Sequence, residues 1–175
     1  MDNSALTDHT PPQNLAAEKA VLGAIFLSTD ALVDALEYLT PEDFYRREHQ
    51  IIFQTMMELN DRDDAIDVVT VTDRLTEKNE LDDVGGVTYI AELAGAVPTA
   101  ANATYYAKIV QNKAVLRRLI QTATNIATQG YQADGDVNEL LDNAERDIMN
   151  VAEMRSQSGF KTIRDVLNST FEDIN

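Results

Sequence analysis

Apolar residues recur at helical spacing along most of the chain and so predict helices. The first stretch places four large apolar side chains on one helical face: Leu15, Leu22, Ile25 and Phe26. Asn14, directly before this stretch, is a residue type that caps helix N-termini. The same spacing predicts two further helices, over about 30–38 and 46–60. The pattern is typical of an all-α fold.

The stretch Ile66-Asp-Val-Val-Thr-Val-Thr is locally ambiguous. Its β-branched residues favour a strand, but the chain offers no second strand-like run to pair with it. We therefore predict a helix that begins here and reaches Lys78. Gly85-Gly86 then breaks the chain before an amphipathic turn that contains Tyr89, and Pro98 ends this part of the protein.

Two long helical stretches of opposite charge follow. Residues 93–133 contain no Asp or Glu and carry four positive charges, whereas the rest of the chain carries −20. Residues 100–129 are predicted to form one helix, with Gly130 and Gly135 in the turn after it. The next helix, about 137–154, is acidic and spaces five apolar residues like a coiled-coil seam: Val137, Leu141, Ala144, Ile148 and Val151. Charge and seam together favour an antiparallel hairpin.

The chain is thus predicted to contain five segments in the following order: a flexible N-terminal arm at 1–12, a globular helical subdomain at 13–98, a helical hairpin at 99–154, a polar linker at 155–160 and a linker helix at 161–175. The last helix is amphipathic but too short to be stable alone in water, so it needs a surface on which to dock. Its apolar residues are Ile163, Val166, Leu167, Phe171 and Ile174.

The first hairpin helix has a wider apolar face than one partner helix covers. At about 100° per residue, its apolar side chains span well over the ~100° of a single buried face. They are Ile109, Leu116, Leu119, Ile120, Ala123, Ile126 and Ala127. Either the hairpin lies back on the globular part, or the surplus face binds another chain. We predict the second, with self-association through Ile109, Leu116, Leu119, Ala123 and Ala127.

Composition excludes several classes of protein. The 175 residues carry 14 basic and 30 acidic side chains, a net charge of −16, which opposes general binding of nucleic-acid phosphates. The chain has no cysteine, so disulfides and thiolate metal sites are excluded. The N-terminus lacks the pattern of a secretory signal, and no apolar run approaches the length of a membrane span. We expect a cytoplasmic protein that does not cross a membrane.

Candidate catalytic and metal-binding patterns are weak. The glycines never form the phosphate-binding G-x-x-x-x-G-K-[ST] pattern. His9 and His49 are forty residues apart, and we assign them surface or capping roles. The run Asp134-Gly-Asp-Val-Asn with Glu145 matches part of a calcium-binding EF-hand loop, but Glu139 occupies the position that normally needs glycine. No metal site is therefore predicted.

Two charged clusters have plain interpretations. The acidic cluster Asp61, Asp63, Asp64 and Asp67 has no neighbouring base for catalysis and is interpreted as a solvated loop. The basic residues of the first hairpin helix are not interleaved with aromatic residues for base stacking, so we expect them to pair with acidic protein surface. These residues are Lys108, Lys113, Arg117 and Arg118.

Six short motifs in order resemble one known family, over about residues 11–175. They begin Pro11-Pro-Gln-Asn-Leu-Ala-Ala-Glu-Lys-Ala-Val-Leu-Gly-Ala-Ile and continue with Pro41-Glu-Asp-Phe-Tyr, Val69-Thr-Val-Thr, Gly85-Gly-Val-Thr-Tyr, Val97-Pro-Thr-Ala-Ala-Asn and Tyr105-Tyr-Ala-Lys-Ile-Val followed by Lys113. They resemble the N-terminal domain and linker helix of DnaB-family bacterial replicative helicases, of the Gram-positive type.

The resemblance implies a non-catalytic collar that assembles from dimers into a hexameric ring and docks the helicase-binding domain of primase. It implies docking residues at Tyr89, Ile120 and Ile126. From the residues alone, burial of Ile120 in the hairpin seam is an equal alternative. The resemblance further implies that the linker helix packs on the motor domain of the adjacent subunit, that ATP and Mg²⁺ bind only in that motor domain, and that a helicase loader is a further candidate partner.

An alternative function is a free-standing acidic helical protein that mimics DNA or inhibits a helicase. The net charge of −16 suits such a protein. A mimic needs carboxylates along one exposed face, however, and here they concentrate in loops and in one hairpin arm. We therefore favour the collar, with little or no direct contact to nucleic acid.

Overall fold

A computed structural model describes the backbone of residues 9–132 and 135–172, and the side chains as far as Met154. Over these residues the secondary structure is helical, without a strand, which confirms the all-α fold. The helices are α1 (Leu15–Leu27), α2 (Thr29–Leu36), α3 (Arg47–Asp61), α4 (Val68–Glu77), α5 (Gly86–Ala94), α6 (Ala103–Gln132) and α7 (Val137–Glu172), with short 3₁₀ turns at Pro41–Asp43 and Asp82–Val84.

Local hydrogen bonds fix where the helices begin. The Asn14 side chain accepts from the backbone N–H of Ala17 at 2.9 Å and caps α1 as predicted. At α4, the Asp67 carboxylate accepts from the Thr70 N–H at 2.8 Å, and the Thr70 hydroxyl oxygen accepts from the Asp67 N–H at 2.9 Å. This reciprocal cap explains why a β-branched stretch is helical. The predicted helix over 66–78 is confirmed, with its ends one or two residues inside those limits.

The chain divides into two compact units after Ala114. In the first unit, α1 packs against α2, α3 and α5, and α4 packs against α3 and α5. The sequence places the end of the globular part at Pro98, sixteen residues earlier. The difference arises because Ala103, Ala107 and Val110, in the first turns of α6, are buried members of the same hydrophobic core. Small side chains there let the helix approach the core closely.

The second unit contains the rest of α6 and all of α7. Two details differ from prediction. Gly130 lies inside α6, which ends two residues later, because one glycine costs a helix only about 1 kcal/mol. Residues 155–160, predicted as a linker, are part of the continuous helix α7. That segment contains one glycine and no proline, so nothing in it forces the helix to stop.

The predicted seam of α7 is only partly buried. Val151 is 7% exposed, but Val137, Leu141 and Ile148 are 67%, 62% and 48% exposed. The less exposed side of the helix instead runs through Leu140, Asn143, Ala144, Asp147 and Val151. This side is rotated from the predicted seam because the neighbouring helix covers only one face of α7. The apolar spacing alone does not say which face of α7 is covered.

Candidate docking site

Tyr89 lies in the first turn of α5, directly after the Gly85-Gly86 turn. Both glycines have positive φ, +97° and +74°, a conformation that other residues rarely adopt. A Cβ atom on Gly85 would stand 3.1 Å from the Cβ of Tyr89. The turn therefore passes closely along the base of the tyrosine side chain, and only glycine leaves room for both.

A chain of hydrogen bonds joins Tyr89 to two buried side chains. His49 Nε2 lies 2.6 Å from the Tyr89 hydroxyl, and His49 Nδ1 lies 2.7 Å from Glu18 Oε1. His49 is 0% exposed and Glu18 is 1% exposed. With Nδ1 donating to the carboxylate, the Nε2 of a neutral imidazole accepts from the tyrosine hydroxyl. The imidazole and phenol rings are nearly parallel, at 11° and with centroids 5.9 Å apart.

Glu18 is held by the backbone at the start of α3. Its Oε2 accepts from the Tyr45 N–H at 2.9 Å, and its Oε1 accepts from the Arg46 N–H at 3.5 Å. The Phe44 ring meets the imidazole of His49 edge-on, with centroids 6.4 Å apart. A buried carboxylate is costly unless hydrogen bonds satisfy its oxygens, and here both oxygens accept from N–H groups.

The surface or capping role predicted for His49 is wrong. Its two partners lie 31 and 40 residues away in sequence, so local pattern does not reveal them. One signal was present in the sequence: Glu18 is an acidic residue in a predicted helix among the apolar residues Ala17, Ala20 and Val21, all of which are buried in the structure. An acidic side chain at such a position needs a buried partner. His9, by contrast, is exposed.

Burial raises the pKa of the Tyr89 phenol above its usual value. The positive charge of Arg46 acts in the opposite direction, and the carboxylates of Glu92, Glu48 and Glu18 add to the rise. The phenol therefore stays protonated at neutral pH and keeps its hydroxyl available for the bond to His49.

An open cleft of about 400 Å³ lies beside Tyr89. Charged residues line much of it: Lys19, Arg46, Glu48, Asp82, Asp83 and Glu92. The Lys19 ammonium is 5.9 Å from the centroid of the Tyr89 ring and 3.8 Å from a carboxylate oxygen of Glu92. Tyr89 is thus partly buried at its hydroxyl end and reaches a polar surface cleft elsewhere.

The predicted self-association residues on α6 are all exposed within a single chain. Ile109, Leu116 and Leu119 are 38%, 42% and 42% exposed, and Ala123 and Ala127 are exposed as well. Ile120, for which burial in the hairpin seam was an alternative, is 50% exposed. That alternative is wrong for the single chain. The predicted roles of these residues stay predictions, because exposure alone names no partner.

Ile126 has different surroundings. It is partly buried and lines an apolar pocket of about 300 Å³ in the second unit, with Leu140, Leu141 and Ala144 of α7 on the other side. Tyr89 belongs to the first unit and Ile120 and Ile126 to the second. In the linker helix, the side chains of Ile163, Val166, Leu167 and Phe171, and the whole of Ile174, lie outside the described residues.

Comparison with known proteins identifies the family. The protein-family model described as "DnaB-like helicase N terminal domain" matches residues 10–112 of this chain. The replicative DNA helicase DnaB of Geobacillus stearothermophilus is 51% identical over 168 residues, covering 96% of this chain and 37% of that protein. The replicative DNA helicase DnaC of Bacillus subtilis is 52% identical over 169 residues, covering 97% and 37%. The chain thus spans about 37% of the length of these relatives.

Two solved structures are similar to this fold. The N-terminal domain of DnaB helicase from Mycobacterium tuberculosis matches with a TM-score of 0.77 and 46% identity, over 81% of this chain and 99% of that chain. A structure of a DnaB-like replicative helicase and its interactions with primase matches with a TM-score of 0.65 and 25% identity, over 86% of this chain and 35% of that chain. None of the helices described here combines the length and the apolar composition that crossing a bilayer requires.

Proposed function

The chain belongs to the family of DnaB-like helicase N-terminal domains, and on this premise we propose that it is a non-catalytic collar of a replicative DNA helicase. In this role it self-associates, from dimers towards a hexameric ring, and docks primase during DNA replication. The observation that carries the proposal is the apolar stripe that a single chain leaves exposed along α6.

The stripe lies on one side of the helix and is too regular to be scattered surface residues. Leu116, Leu119, Ala123 and Ala127 succeed one another at intervals of three or four residues, and Ile120 lies beside Leu119. Full burial of a Leu or Ile side chain stabilises by about 1.5 to 3 kcal/mol, so covering the half-exposed large residues yields about 1 kcal/mol each. Covering the stripe with a second copy of the chain therefore stabilises the association of the two copies.

Light scattering of the wild type and of Leu116→Asp tests self-association. We expect the aspartate to shift the protein to smaller particles, because it places a charge in the proposed interface. Asn125→Asp is the matched control. It adds the same charge on the opposite side of α6, where Asn125 is exposed and accepts from the Gln121 amide at 3.1 Å. A wild type that stays monomeric at high concentration, or equal effects of the two variants, contradicts the proposal.

Primase docking is proposed at Tyr89, Ile120 and Ile126. Tyr89 has a large ring and a polar end, which is typical of an interface anchor. Ile120 offers an exposed apolar side chain. The solved DnaB-like replicative helicase whose structure includes its interactions with primase shares this fold over 35% of its chain, which supports primase as the partner.

Calorimetric titration with the helicase-binding domain of primase tests this docking site. We expect Tyr89→Ala and Ile120→Ala each to weaken binding by about 1 to 3 kcal/mol. Ile126→Ala is less decisive, because Ile126 also lines the pocket beside α7 and its loss affects the hairpin itself. Val87→Ala, which shortens an exposed side chain on the same helix as Tyr89, is the control and should bind normally. Full affinity in both test variants contradicts the site.

The proposal gives this cytoplasmic segment no ATP or Mg²⁺ site and little or no contact with nucleic acid. The linker helix packs on the motor domain of an adjacent subunit, and a helicase loader is a further partner. The missing P-loop pattern supports the absence of an ATP site, and the net charge of −16 supports the lack of appreciable contact with nucleic acid. Filter binding tests the point: micromolar affinity for single-stranded DNA at ~150 mM salt contradicts it.

A further inference from the structure

We propose that His49, held by Glu18, is a positioning residue that fixes Tyr89 as a docking anchor before the partner arrives. The inference rests on the proposed function, because it explains how the Tyr89 site is kept ready for binding. The juxtaposition that carries it is the buried hydrogen-bond chain from the Glu18 carboxylate through the His49 imidazole to the Tyr89 hydroxyl, at 2.7 Å and 2.6 Å.

The two buried side chains of this hydrogen-bond chain, Glu18 and His49, are themselves immobilised. Glu18 bridges α1 to the start of α3 through the N–H groups of Tyr45 and Arg46, and His49 is enclosed without exposed surface. Each polar atom of the two side chains has a partner, so neither has an alternative hydrogen bond to which it could turn. The Nε2 atom of His49 is therefore a fixed hydrogen-bond partner at the edge of the core.

Tyr89 is held at both ends of its side chain. At its base, Gly85 passes so close that an added Cβ would lie 3.1 Å from the Cβ and 3.4 Å from the Cγ of Tyr89. At its far end, the hydroxyl meets His49 Nε2. The stacked arrangement of the two rings adds a third contact. A partly exposed tyrosine without the hydroxyl bond has other rotamers open to it, and a partner then has to order the ring on binding.

Preorganisation of this kind has a measurable size. One hydrogen bond, or one side chain that no longer needs ordering, changes a binding constant by about 3- to 10-fold. Where an aromatic ring at position 49 keeps the stacking contact, the remote pair acts through the tyrosine hydroxyl. Removing the hydroxyl and removing the imidazole should therefore have the same consequence for binding, and removing both should add nothing further.

A double-mutant cycle on the whole chain tests the inference, with the helicase-binding domain of primase as the titrant. The variants are His49→Phe, Tyr89→Phe and the combination of both. Phenylalanine at 49 keeps an aromatic ring for stacking but forms no hydrogen bond. We expect each single variant to weaken binding by about 3- to 10-fold, and the double variant to be no weaker than the weaker single one. His9→Phe, at an exposed histidine, is the matched control and should bind normally.

A purely structural role for His49 predicts a different result. Its loss would then lower the thermal midpoint and weaken binding independently of the hydroxyl, so that the two substitutions add; additivity overturns the inference. Tyr89→Phe leaves the buried pair intact, so its result stands even if His49→Phe fails to fold. Normal binding by Tyr89→Phe overturns the inference.

Ring order supplies a second readout that does not involve primase. In the wild type, nuclear Overhauser contacts between the Gly85 α-protons and the Tyr89 ring should be strong, and both phenylalanine variants should weaken them. Unchanged contacts in both variants overturn the inference. Failure of the proposed function is distinguishable, because Tyr89→Ala would then bind the primase domain like the wild type. Weak binding by Tyr89→Ala together with an additive cycle refutes the positioning role alone.

Discussion

Gly23→Ala adds a single methyl group where α1 crosses the end of α5. A Cβ atom at position 23 would lie 2.7 Å from the carbonyl oxygen of Leu93, 3.1 Å from the Cβ of Ala96 and 3.3 Å from Cγ2 of Val97. The closest of these atoms belongs to the backbone, so it does not move aside as a flexible side chain would. Accommodating the methyl group requires the two helices to separate.

Two opposing contributions set the expected change in the free energy of unfolding. Forcing a methyl group into a packed core costs typically about 1 to 3 kcal/mol. Alanine in a helix interior gains roughly 0.5 to 1 kcal/mol over glycine. The cost is the larger of the two here, because the contact falls on a backbone oxygen. We therefore expect Gly23→Ala to destabilise the first unit by about 1 to 2 kcal/mol.

Gly130→Ala is a matched control with the opposite expected sign. Gly130 also lies within a helix, but a Cβ there would meet nothing within 4 Å. Only the gain in helix propensity remains, so this variant should be more stable than the wild type by up to about 1 kcal/mol. Urea unfolding followed by far-ultraviolet circular dichroism measures both. A Gly23→Ala protein as stable as Gly130→Ala would refute the close-packing explanation.

Two further predictions concern the polar contacts of α4. Burial raises the pKa of Glu58, but the hydrogen bond from Arg74 at 3.0 Å and the charge of Lys78 lower it to a net value below the ordinary 4.5. The folded-state pKa is depressed, so this stabilisation is present above pH 4.5 and is lost as the pH falls through the folded value. Glu58→Gln should lower the free energy of unfolding by about 0.5 to 1.5 kcal/mol at pH 7 and by progressively less below pH 4.5. Chemical denaturation measures this loss, and an equal loss at pH 7 and pH 3 contradicts the prediction. Asp67→Ala removes the cap that accepts from Thr70 and should cost about 1 kcal/mol, measured by thermal unfolding, whereas Asp67→Asn, which keeps an acceptor, should cost less.

The sequence by itself determined the helices and most of their ends. Apolar spacing marks the helical stretches, and short-range chemistry marks some boundaries: Asn14 caps α1, and Gly85-Gly86 separates α4 from α5. Asp67, interpreted from the sequence as part of a solvated loop, is in fact the residue that caps α4. These signals are legible because the interacting atoms lie within three or four residues of one another. The width of the apolar stripe on α6 was legible for the same reason.

Only the tertiary structure decided which groups meet across the fold. The Glu18–His49–Tyr89 chain joins three helices, and no local pattern pairs residues that lie 31 and 40 positions apart. The same limit applies to α7, where the spacing predicts an apolar seam but the less exposed side of the helix is rotated away from that seam. It also applies to Gly23, whose need to be glycine comes from the Leu93 carbonyl seventy residues away. Periodicity fixes what a helix is able to bury, whereas the neighbours that fold against it decide what it does bury.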